Sequence, residues 1–177
     1  FVGRVEITRG AELLKAQKLT LNLSPDLAFV YRAVAVDDME LTTGAVLLAA
    51  HQRGDRVVIL HLTLGEGGNP RLTPAAYGEQ KRREAMAVGA DLGAEVLFGP
   101  YKDGELPNDE AARRYVADVI RQVKPTHIFT HWKESFHKDH SITSAVVQDA
   151  VLLASLPGVL LEHPAHRGVR AVWYTDN

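Results

Sequence analysis

A mostly parallel α/β sheet, covered by helices on both faces as in a Rossmann-like three-layer sandwich, is predicted by three features of this 177-residue sequence. Short apolar, β-rich runs alternate four times with helical stretches, the order that βαβ units produce. The runs alternate only weakly between apolar and polar residues, as expected of strands buried on both faces. The polar, chemically loaded segments fall immediately after the runs, where ligands bind in such folds.

The elements follow in order. After an N-terminal arm, Phe1 to Asp26, the first strand is expected over Leu27 to Val36 and the first helix over Glu40 to Gln52, with Gly54 as its stop. Arg56 to Thr63 forms the second strand. Tyr77 to Leu92 follows Pro74, is rich in helix formers and ends before Gly93. Glu95 to Phe98 forms the third strand, and the helix from Glu110 to Val123 carries Ala112, Tyr115, Val116, Val119, Ile120 and Val123 on one face before Pro125 closes it. Thr126 to Thr130 is the fourth strand. A helix over His140 to Ser155 places Ile142, Val146, Ala150 and Ala154 on one side, and Val169 to Tyr174 reads as a last strand.

With 46% apolar residues, residues 1–177 are expected to form one domain, trimmed at its C-terminus, with room for a layered core. The formal charge is -2 and no long run of one sign occurs, so neither a nucleic-acid nor an anionic-membrane partner is indicated. No apolar stretch approaches the ~20 residues of a membrane span. No signal peptide is recognisable, so the cytoplasm is the default expectation, held against a start at Phe1 without Met that reads as a trimmed N-terminus. The absence of cysteine excludes disulfides, thiolate metal sites and cysteine nucleophiles, so any metal must be held by His, Asp or Glu. A homo-oligomer is compatible with all of this.

Val36-Asp37-Asp38-Met39-Glu40 places three carboxylates in four positions at a strand-to-helix junction. Helix capping would account for Asp37 or Asp38, and so would a metal ligand beside a general base; the spacing leaves both open. His131-Trp132-Lys133-Glu134-Ser135-Phe136-His137-Lys138-Asp139-His140 follows the fourth strand, and two histidines three apart around an Asp can converge on one centre. Leu64-Gly65-Glu66-Gly67-Gly68-Asn69-Pro70 is glycine-rich but lacks the Gly-Lys-Ser/Thr ending of a phosphate loop, and serves as a lid or a surface turn. Tyr101-Lys102-Asp103-Gly104 reads as a turn with Asp103 as a secondary substrate contact. No Gly-x-Ser-x-Gly elbow supports a serine hydrolase. Of the other histidines, His51 and His61 fall in a helix and a strand, His127 is expected to be structural, and His163 and His166 to be solvated.

Taken together, Asp37-Asp38-Met39-Glu40, the Gly-rich segment at Glu66 and the His137-Lys138-Asp139-His140 run resemble the LmbE-like (PIG-L) zinc deacetylases, over about Tyr31 to Asn177. That family is marked by His-Pro-Asp-Asp with a following Glu, and later by His-x-Asp-His. The resemblance implies a zinc-dependent hydrolase that removes acetyl from an N-acetylglucosamine-type or related small N-acylated substrate. It makes Asp38 and His140 metal ligands, Asp37 the base that takes a proton from water, and His137 the electrophilic or acid partner. Glu66, Asp103 and Asp139 are expected to contact substrate. The family's third ligand is the His two residues before the first Asp, and a gapless alignment sets Ala35 there and Val36 in place of Pro. The preferred alternative is that Arg32 to Val36 completes the first strand and a His-Pro link is missing between Val36 and Asp37, since members of the family run from a basic residue through an apolar strand and several more positions before the Asp pair. A binding or regulatory paralogue without the metal centre is the competing expectation; a nucleotide-binding Rossmann-like domain lacks its glycine fingerprint.

Overall fold

The computed structural model describes residues 6–9, 12–15, 29–31 and 36–175, with side chains from residue 43 onward. Seven strands and four helices run in the order β1 (Glu6–Arg9), β2 (Glu12–Lys15), β3 (Phe29–Tyr31), α1 (Val36–Gln52), β4 (Val57–His61), α2 (Pro74–Leu92), β5 (Ala94–Phe98), α3 (Glu110–Val123), β6 (His127–His131), α4 (Lys138–Ser155) and β7 (Ala171–Thr175). The four expected strand–helix alternations are all present. The antiparallel β1–β2 pair, with Glu6 opposite Lys15 and Arg9 opposite Glu12, lies in the arm for which no strand was expected.

The remaining strands pair in parallel: β3 with β4, β4 with β5, and β6 with β7. Because β3 lies against β6, the strands run β5-β4-β3-β6-β7 across the molecule. That order reverses between β3 and β6, which is the topological switch point of a doubly wound sheet.

Strand side chains alternate between the two faces. Val57 and Ile59 of β4 and Phe129 of β6 pack with Leu47 and Ala50 of α1 and Leu92 of α2. Leu60 of β4 and Ile128 of β6 pack instead with Val116 and Ile120 of α3 and Val146, Val147 and Ala150 of α4. Helices α1 and α2 therefore cover one face and α3 and α4 the other, which completes the three layers.

Several boundaries differ from expectation for identifiable reasons. The helix α1 starts at Val36, so Val36 is helical and does not end a strand; helix N-termini favour acidic residues, and the Asp37–Asp38 pair lies within the first turn. The expected strand positions 32–35 lie outside the described residues. The helix α2 begins three residues early because Thr73 caps it, its hydroxyl accepting from the Ala76 N–H at 3.3 Å, and Pro74 occupies the first turn, where a missing N–H costs nothing. The helix α4 begins at Lys138, with His137 as its cap.

Candidate active site at the switch point

The polypeptide leaves β6 at His131 and enters α4 at Lys138, and the intervening loop folds back so that three histidines meet. His131 is fully buried, His140 is nearly so at 3% exposure, and their rings stack with centroids 3.9 Å apart and planes within 3°. His137 and His140 are one helical turn apart, which brings ring i over ring i+3; their centroids lie 5.1 Å apart. The His137 side chain accepts from the Asp139 N–H at 3.3 Å, so the cap of α4 is itself a candidate catalytic group.

One residue of this loop was not anticipated. Ser135 Oγ lies 3.0 Å from His140 Nδ1 and accepts from the His137 N–H at 3.4 Å, while the Ser141 hydroxyl donates to the Ser135 carbonyl at 3.1 Å. A serine in a polar loop carries no periodic signal, and only the paired spacing to His137 and His140 could have drawn attention to it.

The three expected substrate contacts are linked to one another. Glu66 Oε1 accepts from the Asp103 N–H at 2.9 Å, Asp103 Oδ2 accepts from the Gly67 N–H at 3.3 Å, and Asp139 Oδ2 accepts from the Gly104 N–H at 2.7 Å. The loops after β4, β5 and β6 are thereby tied into one unit, with Lys138 Nζ donating to the Gly104 carbonyl at 3.3 Å. Gly104 has φ +77, a backbone state that side chains with Cβ rarely adopt, and a Cβ on Gly67 would lie 3.1 Å from Asp103 Oδ2. Asp139 is fully buried, so in this arrangement its carboxylate holds the neighbouring turn. Glu66 Oε2 is buried and, among the described residues, has no hydrogen-bond partner.

Asp37 and Asp38 enter through α1, which follows β3, so the backbone brings them to the strand that lies against β6. Their side chains, with that of Glu40, and all of Ala35 lie outside what is described. With Val36 in the helix, the expected strand does not run on through Val36; residues 32–35, on which the alignment with the family's third ligand turns, lie outside the described residues. His131 does not supply that ligand as seated. Lone pairs of an imidazole point in the ring plane, and the His131 and His140 rings are stacked with nearly parallel planes, so their nitrogens do not aim at one point.

His61, His127, His163 and His166 serve the scaffold. Burial pushes the His61 pKa down to about 4; its ring stacks on Phe98 with centroids 5.6 Å apart. His127, at the start of β6, is lowered by burial and then by the Arg170 charge, and its Nδ1 meets Thr126 Oγ1 at 3.0 Å. His163 and His166, expected to be solvated, are instead bonded. His163 meets Asp118 through its N–H at 2.9 Å and its Nδ1 at 3.0 Å, and His166 Nε2 meets the Pro125 carbonyl at 2.8 Å. Asp118, Glu162 and His163 bring ligand atoms within 4.8 Å of one another, but that group joins the C-terminal loop to α3.

A doubly wound sheet with a histidine loop after β6 defines an α/β protein of the LmbE type. The chain belongs to the GlcNAc-PI de-N-acetylase (PIG-L) family, whose model matches residues 36–151. It is 30% identical over 146 residues to a 4-oxalmesaconate hydratase of Pseudomonas putida, a match covering 78% of this chain and 56% of that relative. Among solved structures it is similar to a conserved protein from Thermus thermophilus, at 28% identity and TM-score 0.75, covering 86% of this chain and 66% of the other. It also shares the fold of the N,N'-diacetylchitobiose deacetylase from Pyrococcus horikoshii, at 18% identity and TM-score 0.77, covering 85% and 60% of the two chains. Relatives in this family thus include deacetylases and a hydratase. No described helix is long and apolar enough to cross a membrane.

Proposed function

We propose that this chain is a metal-dependent hydrolase that removes acetyl from an N-acetylated amino sugar or a related small N-acylated substrate. What supports the reading is that β3, which leads toward the Asp37–Asp38 turn, lies beside β6, which leads to the His137/His140 pair. An acyl-transfer site needs a base near water and an acid near the leaving amine, and these two segments offer one of each.

Asp38 and His140 would hold the ion. The donor set suits zinc in kind, since with Nδ1 engaged by Ser135 the ligating atom of His140 would be Nε2, and a supporting oxygen on the other ring nitrogen is the usual arrangement. The set is one ligand short of the usual three, so binding is expected to be weak. Zinc, when bound, supplies Lewis-acid polarisation and makes water more acidic. Asp37 would take the proton from the attacking water. His137, half-buried at the cap of α4, would stabilise charge on the former carbonyl oxygen and pass a proton to the departing amine. The loop unit built on Glu66, Asp103 and Asp139 would hold the mouth of the site in shape.

The test is acetate release from N-acetylglucosamine derivatives with added Zn2+, with a His140→Ala control. Release above the control supports the reading; none, with zinc bound, points to a non-catalytic binding role. The hydratase relative favours a second reading, in which the same Asp-activated water adds to a conjugated double bond. Loss of ultraviolet absorbance from a conjugated hydroxy-dienoate, without acetate release from the sugar, would select it.

A further inference from the structure

We propose that Ser135 is a positioning residue that fixes His140 with its ring proton on Nδ1 and so presents Nε2 as the ligating nitrogen; this rests on reading His140 as a metal ligand. A neutral imidazole has one N–H and one lone pair, and the hydrogen bond made by one nitrogen decides which role the other takes. Ser135 Oγ is 3.0 Å from His140 Nδ1. The same oxygen accepts from the His137 N–H at 3.4 Å, so it already acts as an acceptor toward the start of α4. After accepting from the His137 N–H the hydroxyl keeps one lone pair and its own proton, so the contact to His140 can run either way; Nδ1–H is assigned as the donor because Nε2 must keep its lone pair to ligate.

Ser135 cannot easily turn away. Its carbonyl is held by the Ser141 hydroxyl at 3.1 Å, so both ends of the residue are anchored to the first turn of α4. The stacked His131 ring fixes the plane of His140, and Ser135 fixes its edge. Together they specify the direction of Nε2 before any ligand arrives, which is how a supporting shell contributes to affinity.

The experiment is 15N-resolved imidazole NMR of the metal-free protein at alkaline pH, with the His140 signals assigned by their loss in His140→Gln, paired with Zn2+ titration against a competing chelator. The expected wild-type tautomer is Nδ1–H. Ser135→Ala should shift His140 toward Nε2–H and weaken Zn2+ binding about 10- to 100-fold, the usual effect of losing such a support. Ser135→Thr, which keeps the hydroxyl, should restore both. A wild-type Nε2–H tautomer, or a His140 tautomer unchanged in Ser135→Ala, overturns the proposal. If the wild type takes up no Zn2+, the metal-dependent reading fails, and the tautomer comparison alone still decides the role of Ser135.

Discussion

At its carboxyl end α4 runs into the guanidinium of Arg121, whose Nε donates to the Ala154 carbonyl at 3.0 Å and whose Nη2 donates to the Leu153 and Leu156 carbonyls at 3.1 and 2.7 Å. A further bond from Nη1 reaches the His163 carbonyl at 3.0 Å. At its amino end the same helix starts on His137, with His140 stacked on His131 and edged by Ser135. One buried cation answers the negative end of the helix dipole and the carbonyls that every helix leaves unpaired. The other end gathers imidazoles and carboxylates, groups that cost free energy to desolvate and are tolerated where chemistry is done. Stability is concentrated at one end of α4 and the proposed reactivity at the other, so substitutions should separate the two.

The largest separation is expected at the amino end. Asp37→Asn should lower turnover by about 10²- to 10⁴-fold, the range for loss of a general base, while metal content stays near wild type. His140→Ala should lower both, with little change in melting temperature. If Asp37→Asn empties the metal site as fully as His140→Ala does, the division between base and ligand is wrong.

At the carboxyl end the signs reverse. Arg121→Ala leaves buried carbonyls without a donor and should destabilise by about 3 kcal/mol, lowering the melting temperature by roughly 6–12 °C for a domain of this size. Activity per folded molecule, measured well below that midpoint, should be unchanged. A stable Arg121→Ala protein would show that water satisfies these carbonyls equally well.

A smaller effect sharpens the contrast within the sheet. The buried His61 is pushed down to about 4 from 6.5. The unfolded chain therefore takes up a proton in that window when the folded chain does not. Stability from this group is complete above about pH 6.5 and declines as the pH falls toward 4, by on the order of 3 kcal/mol in all. His61→Leu should flatten that decline in urea melts taken across the window. An unchanged acid slope would assign the loss to other groups.

The layered fold was legible because apolar runs and helix stops carry it: the α3 boundaries, Glu110–Val123, agree with the reading from its apolar stripe and Pro125. The meeting of His137 with His140 was legible from spacing alone. Less visible were features created by tertiary contact. Arg121, 2% exposed, reads as a surface residue until α4 ends against it. His163 and His166 became structural only because the loop after α4 returns to α3 and to Pro125. The start of α1 was misplaced because Val36 fits a strand locally, and the helix preference of the acidic pair prevailed.

The central claim is that Asp38 and His140 hold one cation at the switch point, with Asp37 beside it as the base, in a site that the sequence leaves without a histidine at Ala35. The most direct test is Zn2+ affinity, measured by chelator competition, of the wild type and of the Ala35→His/Val36→Pro double variant. Apparent zinc-site energies of about 10–16 kcal/mol shared over four ligands give roughly 3 kcal/mol per ligand. The double variant should therefore bind Zn2+ at least about 100-fold more tightly than the wild type, and His140→Ala in that background should abolish the gain. Equal affinities for the two proteins, or a gain that survives His140→Ala, would contradict the account.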